Sequence, residues 1–262
     1  MPIDVVHFNP VRRRPGVLGR FLPRRPLNNF GDLLGPLLVA AIVKSQGLRD
    51  TTVGGTRLVT VGSIMKLTQP GDVVWGTGVN GKSMDTGAAP ALDVRSVRGP
   101  RTRDLLVARG TEVPEIFGDP ALLWSTFWPR REYLSSAPSR HELSPVGVVP
   151  NFHDRVRTRD RRLIDPLSPP HEVIGRIARS AFICGSSLHG IVIAESFGIP
   201  ARLIRPGAEH SFKYDDYYAG TGRESYQPAN SVSEAIEMGG EPPADYDAAA
   251  LLAAFPLDLW AS

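Results

Sequence analysis

Apolar and polar positions fall into short β-branched runs alternating with longer runs of helical spacing. Ile3–Phe8 reads as a first strand. A helix from about Leu33 to Ser45 follows, with Asp32 as its N-cap, Pro36 in or beside its first turn and Gly47 after its end. Arg57–Ile64, Asp72–Val79 and Leu92–Val97 read as three further strands set apart by turn-rich segments. Arg98-Gly99-Pro100-Arg101 opens a helix to about Ala108, with Pro100 near its first position and Gly110 beyond its end. Glu115–Leu123 closes this series. From Trp124 to Ser144 the periodicity lapses and Pro, Ser and Arg accumulate, which puts a boundary there between a half at 1–135 and a half at 145–262.

The second half repeats the pattern. Val146–Pro150 is a strand running into Asn151-Phe152-His153-Asp154, and Arg162–Ile164 is another. Ser168 caps a helix with Pro169 at its first position and Val173, Ile174, Ile177 and Ala178 on its buried face. The rest is arranged around Ala181–Pro200: a strand over Ala181–Cys184, a break at Gly185-Ser186-Ser187, and a helix over Leu188–Phe197 closed by Gly198 and Pro200. That helix is apolar nearly all round, so it should be buried, with Glu195 inside it. Ala201–Ile204 is the next strand. Phe212–Tyr218 reads as an aromatic and charged loop suited to sugar contacts or to packing as a clamp, and Ser231–Trp260 holds one or two helices broken at Gly239–Pro243. Strand and helix alternating throughout predict an α/β fold.

The chemistry gathers at the two strand-to-helix turns. A helix starting after Gly185-Ser186-Ser187 offers unpaired N–H groups and a positive dipole end to an anion, and His189 sits in its first turn. The dipole lowers the His189 pKa and a bound anion raises it, so its charge should follow occupancy. That behaviour suits a general acid; a satisfied core or capping histidine is the alternative. Asn28-Asn29-Phe30-Gly31-Asp32 is a second turn of the kind where open α/β sheets bind ligands, although the chain has neither GxGxxG nor a lysine-bearing phosphate loop. Small residues in Trp75-Gly76-Thr77-Gly78 would admit a ligand or another backbone.

At 262 residues and 42% apolar, the chain can bury one large or two small cores. With no h-region at the start and no apolar run of spanning length, a cytoplasmic protein is expected. Cys184 is the single cysteine, which excludes an internal disulfide and a cysteine-rich metal site; a buried thiol is the expectation, a nucleophile the alternative. Neither does the spacing of His, Asp and Glu suggest a metal site. The net charge of +3 is too small an excess to argue for nucleic acid, but it is unevenly distributed. Arg12, Arg13, Arg14, Arg20, Arg24 and Arg25 fall within Val11–Pro26 without an acidic residue. Such a loop is either simply solvated or drawn to a phosphate-bearing substrate or to the anionic inner face of a membrane.

Seven segments, in order from residue 28 to about 223, resemble the polysaccharide pyruvyl transferase family: NNFGD at Asn28, DVVWGTG at Asp72, VRGPRTRDLL at Val97, GDPALL at Gly118, VPNFHD at Val149, IDPLSP at Ile164 and CGSSLHGIVIAESFGIP at Cys184. The resemblance implies two Rossmann-like halves similar to a GT-B glycosyltransferase, the first on the acceptor side and the second, with its C-terminal helices, on the donor side. It also implies transfer of the carboxyethylidene unit of phosphoenolpyruvate to a sugar of an exopolysaccharide or cell-wall glycan, giving a pyruvate ketal, with no other cofactor. The family's donor-binding histidine falls on His189, after Leu188, and its helix-opening arginine on Arg98. Several members have arginine where this chain has Ser187, so a second donor cation must come from elsewhere, with Arg101, Arg205, Lys213 and Arg223 as candidates. His153 is a second acid–base candidate that could deprotonate the acceptor, and Asn29 and Asp32 are expected near the substrate. The acceptor is expected to be a glycan that could be lipid-linked, the basic loop then holding the enzyme at the membrane. A nucleotide-sugar glycosyltransferase and a non-catalytic carbohydrate-binding subunit are the competing readings.

Overall fold

The computed structural model describes residues 3–13, 23–48, 55–82, 90–135 and 144–260. The first strand, β1 (Asp4–Val6), leads into a short antiparallel ladder of β2 (Val11–Arg12) and β3 (Arg25–Pro26), then into α1 (Phe30–Ser45). Next come β4 (Arg57–Val59), β5 (Val73–Trp75), β6 (Asp93–Ser96) and α2 (Pro100–Val107). Strands β1, β4, β5 and β6 lie side by side in that order, all parallel. Parallel strands need long crossovers and cover on both faces, and β5 is accordingly buried throughout.

A 3-10 turn (Pro120–Leu123) and the short α3 (Trp124–Phe127) and α4 (Arg130–Ser135) lead to the second sheet. It is built from β7 (Gly147–Val148), then, after α5 (Pro170–Ala178), β8 (Ile183–Gly185), and, after α6 (Leu188–Ser196), β9 (Ala201–Leu203), all parallel with β8 central. Helices α7 (Phe212–Gly220), α8 (Val232–Met238) and α9 (Ala248–Ala253) complete the chain. Mixed α/β architecture with parallel sheets is as the alternating pattern predicts.

The two sheets share one apolar core. Leu34 and Leu38 of α1, Leu122 and Trp124 of the link, Ile174 and Ile177 of α5, and Ile191 and Ile193 of α6 belong to a single cluster of buried side chains. Truncating any one of these aliphatic side chains to alanine should cost about 2–5 kcal/mol. Polar ties cross the same boundary: the Phe30 N–H donates to the Pro166 carbonyl at 2.9 Å, and Trp75 Nε1 to the Leu251 carbonyl at 2.9 Å. The first turns of α1 and α6 are thereby brought together.

Three local expectations are corrected. Helix α1 starts at Phe30 rather than Leu33, so Asn29 holds the N-cap position, Asp32 lies within the first turn and Pro36 inside the helix. The cause is tertiary: the Pro166 carbonyl takes the Phe30 N–H, one of the first amides that a helix leaves without an internal partner. Helix α5 starts one residue later than its Ser168 signal, with Pro169 at the N-cap and Pro170 first. Phe212–Tyr218 is the body of α7 and not a loop; Tyr214, Tyr217 and Tyr218 are buried, so they pack instead of offering a sugar platform. Of the basic loop, Arg14 and Arg20 lie outside the described residues.

Candidate active site

Strand β8 ends at Gly185 with φ of 147°, where a Cβ would sit 2.0 Å from the Val149 carbonyl oxygen. No L side chain fits there. In the turn that follows, the Ser186 hydroxyl donates to Asp154 at 2.7 Å and accepts the Asn151 N–H at 2.9 Å, fixing the strand-end loops to each other. Ser187 then caps α6, its Oγ accepting the Gly190 N–H at 3.2 Å. His189, in the first turn, faces the first turn of α1 so closely that a Cβ on Gly31 would be 2.3 Å from its Nδ1. In α1 itself, Asn29 Nδ2 donates to Asp32 at 2.8 Å.

These two helix starts wall a cleft of about 230 Å³. Arg12, Lys66, Lys82 and Lys213 line it, against the carboxylates Asp32 and Glu209 and the imidazoles His153 and His189. Glu209 bridges Lys82 at 2.8 Å and Lys213 at 3.0 Å, with His153 3.8 Å away. Burial alone would raise the Glu209 carboxyl, but Lys213 and Lys82 hold it below the usual carboxylate range. Burial lowers the Lys213 ammonium, partly offset by Glu209. Asp32 is pushed up to about 6, chiefly by burial, although the Asn29 hydrogen bond opposes the shift.

His189 is pulled down to about 3, first by burial and then by the positive charges of Lys213 and Arg98. An empty cleft therefore holds a neutral imidazole. An anion that offsets those charges moves it back toward its ordinary range, which makes protonation follow occupancy. On its inner side, His189 Nε2 lies 3.7 Å from Asp119 Oδ2; both atoms are buried and neither has a hydrogen bond. Burial pushes Asp119 up to about 6, while the Ala121 N–H and Arg98 hold it back.

Of the residues expected from the sequence, His189, Ser187, Leu188, His153, Lys213, Asn29 and Asp32 all line this one cleft. Arg98 and Arg101 do not. Arg98 is fully buried, donating to Asp216 at 3.0 Å, Ser63 at 2.6 Å and the Val79 carbonyl at 2.7 Å. Arg101 is exposed beside Asp215. Among the alternative cations, Arg205 is exposed beside Asn230 and Arg223 is bound to Glu195, which leaves Lys213 as the one that reaches the cleft. Sequence reading passed over Lys66, Lys82, Glu209 and Asp119. Only Asp119 carried a signal, as part of GDPALL; Lys66 sits in a single 3-10 turn (Met65–Leu67) and Lys82 and Glu209 in loops, with no periodicity to mark them. Cys184 is buried, and burial pushes its thiol up to about 12, so it is not an activated nucleophile. Among the described residues no helix is long and apolar enough to cross a membrane.

The succinoglycan biosynthesis protein ExoV of Rhizobium meliloti (strain 1021) is 29% identical over 227 residues, covering 80% of this chain and 68% of that protein. The uncharacterized protein L143 of Acanthamoeba polyphaga mimivirus is 28% identical over 157 residues, covering 55% of this chain and 52% of that protein. No solved structure matches the chain. The family model for polysaccharide pyruvyl transferase matches residues 64–207, more than half of the sequence and the span that carries Lys66, Lys82, Asp119, His153 and His189, and the chain therefore belongs to the polysaccharide pyruvyl transferase family.

Proposed function

We propose that the protein transfers the carboxyethylidene unit of phosphoenolpyruvate onto two hydroxyls of one sugar in a bacterial glycan, and that the cleft holds the donor. One observation carries this reading: His189 shares a small cleft with four cationic side chains, Arg12, Lys66, Lys82 and Lys213. A donor bearing both a carboxylate and a phosphate needs that charge, supplied as charge-assisted hydrogen bonds. Donor binding offsets the Lys213 and Arg98 charges, the smaller of the causes that hold His189 neutral, and so raises its pKa as the substrate arrives. His189 then protonates C3 of the enol ether while a sugar hydroxyl adds at C2, phosphate leaves, and the neighbouring hydroxyl closes the ketal. The balance is even: of the two hydroxyl protons released, one ends on C3 and the other leaves with phosphate. Asp32, whose raised carboxyl titrates near working pH, and His153 are the groups that could take the hydroxyl protons. We read the two parallel sheets as the halves of a GT-B-like architecture, and the exposed arginines Arg13, Arg24 and Arg25 as a surface for a lipid-linked acceptor at the inner membrane face.

The test is phosphate release from phosphoenolpyruvate with a panel of galactosides, glucosides and mannosaminides, for the protein and for His189→Ala. Acceptor-dependent release that the substitution lowers by about 10²-fold or more is expected for a general acid. Should no acceptor support release while a nucleotide sugar raises the melting temperature, a glycosyltransferase replaces this reading.

A further inference from the structure

Asp119 and His189 present a pair of unsatisfied atoms that the fold does not require. Asp119 belongs to the link between the sheets and already has a structural duty: its Oδ1 accepts the Ala121 N–H at 3.0 Å and starts the 3-10 turn. Its Oδ2 has no hydrogen bond and is buried, as is His189 Nε2 3.7 Å away. A buried polar atom left unpaired costs about 1–3 kcal/mol, and two facing each other mark a contact that forms in another state. A hydrogen bond of at most 3.2 Å needs a closure of about 0.5 Å.

The ring is oriented so that its two nitrogens face different surroundings. Nε2 is buried, whereas the side chain as a whole is 12% exposed and lines the cleft. Nδ1 lies toward the first turn of α1, which walls the cleft: a Cβ added at Gly31 would meet it at 2.3 Å, and unlike Nε2 it is not a buried atom lacking a partner. We propose that Asp119 is a positioning residue that acts through His189: its carboxylate fixes the Nε2–H tautomer, leaves the Nδ1 lone pair toward the cleft, and stabilises the imidazolium once Nδ1 takes a proton. The other charged groups around His189 are Lys213 on α7 and Arg98 after β6, with Asp32 on α1 and Glu209 and Lys82 at the cleft. Lys213 and Arg98 oppose protonation, Asp32 and Glu209 sit on the substrate side, and Asp119 is the carboxylate in contact with the inner nitrogen. Arg98 also lowers the Asp119 pKa, keeping the carboxylate ionised above about pH 6. Without Asp119, a donor anion alone would have to overcome burial and two positive charges.

This role rests on His189 being the acid of the proposed transfer, but the orientation can be read without turnover. Ring nitrogen shifts of His189 in the 15N-labelled protein report the tautomer of the neutral form directly. The Nε2–H tautomer is expected for the unaltered protein, and the Nδ1–H tautomer for Asp119→Asn, whose amide would donate to Nε2. Asp119→Ser keeps an N-cap oxygen for Ala121 and should lose the preference. Wild-type His189 found as Nδ1–H, or a tautomer unmoved in folded Asp119→Asn, overturns the proposal. If neither variant folds, the wild-type tautomer decides alone. In the transfer assay, Asp119→Asn should lower kcat by about 10²-fold or more with KM within about threefold, and move the basic limb of the kcat–pH profile to lower pH, as expected when an imidazolium that acts as the acid loses its carboxylate partner. A loss confined to KM, or an unmoved profile, also overturns it. A tautomer that flips as expected in a protein that never releases phosphate from phosphoenolpyruvate would sink the proposed reaction while leaving the couple standing.

Discussion

Gly31→Ala is a substitution that should separate stability from function. Gly31 is the second residue of α1, and a Cβ there would stand 2.3 Å from His189 Nδ1, 2.8 Å from its Cγ and 3.0 Å from its Cβ. Ordinary contact begins near 3.4 Å, so the ring must retreat by 3.4 − 2.3, about 1.1 Å. Asp119 lies 3.7 Å beyond Nε2 and limits that retreat. Overpacking of this kind costs about 1–3 kcal/mol, whereas replacing a helical glycine with alanine gains up to about 1 kcal/mol. The net loss of about 0–3 kcal/mol should appear as a Tm lower by no more than about 12 °C at 2–4 °C per kcal/mol for a chain of this size. A misplacement of 1 Å at a reacting group, by contrast, costs about 10²-fold in rate. Donor-dependent phosphate release, read beside a thermal melt, measures both quantities. Gly35→Ala is the control. One turn further along α1, its Cβ would meet the Thr60 methyl at 3.0 Å and Val61 at 3.7 Å but no atom of His189, so it should lower Tm no more than Gly31→Ala and leave the rate within about twofold. A Gly31→Ala enzyme with near-normal kcat would refute the placement of Nδ1 at the reacting side.

Other expectations follow from the same geometry. Lys213→Met and Lys82→Met should each raise the donor KM by about tenfold or more, the worth of a charged hydrogen bond, and steady-state kinetics at low and high salt should show that loss shrinking as salt rises. Arg98→Lys breaks the fork to Asp216, Ser63 and Val79 in a fully buried site, so urea melts should show about 3–5 kcal/mol lost; a loss under 1 kcal/mol would contradict the clamp. Cys184, with its thiol pushed up to about 12, should react with a thiol reagent only after unfolding. Because His189 is neutral in the fold down to about pH 3 but protonates near 6.5 when unfolded, the unfolded chain binds the extra proton between those values. This group alone makes stability fall with acid across that window by up to about 1.4 kcal/mol per pH unit, so the stability difference between the unaltered protein and His189→Gln should change in that sense in paired melts from pH 7 to 4. Asp119 and Asp32, raised to about 6, act in the opposite sense: their contribution is present below about pH 4 and lost as pH rises through 6.

Local signals were legible where they agreed with tertiary demand. The β8–Gly185–Ser187–α6 unit follows from its sequence, because a short apolar run, a glycine needing positive φ and an N-cap serine all favour one conformation. The start of α1 was misplaced by a full turn because its first N–H is satisfied by Pro166, far along the chain, and no local residue records that bond. The aromatic segment at Phe212 was ambiguous for a related reason. Its helix is fixed by Asp216, which accepts from Arg98 and from the Thr102 N–H and hydroxyl, and by glycine-mediated approach of Gly99 and Gly220. In the cleft, the histidine and its cap could be found from a motif. Lys66, Lys82 and Glu209 could not, since charged residues in loops and in a single 3-10 turn have no period and come together only once the two sheets share a core.

That shared core also explains why the chemistry cannot reside in either half alone. Helix α6 brings His189 from the second sheet, the link brings Asp119, and α1 of the first sheet supplies Gly31 and Asp32 on the other side of the ring. The pairing of charge crosses the same way: Lys82, between β5 and β6, is neutralised by Glu209, after β9. The family match over 64–207 covers His189, Asp119 and Lys82 but ends short of Glu209 and Lys213 and begins after Arg12 and α1. The proposed acid and its inner support thus lie within the matched span, while α1, with Asn29 at its start, lies outside it. On the proposed reading, Asn29→Ala should alter which acceptor is used more than how fast the donor is protonated. A kcat that collapses equally for every acceptor in Asn29→Ala would instead assign that wall to the donor.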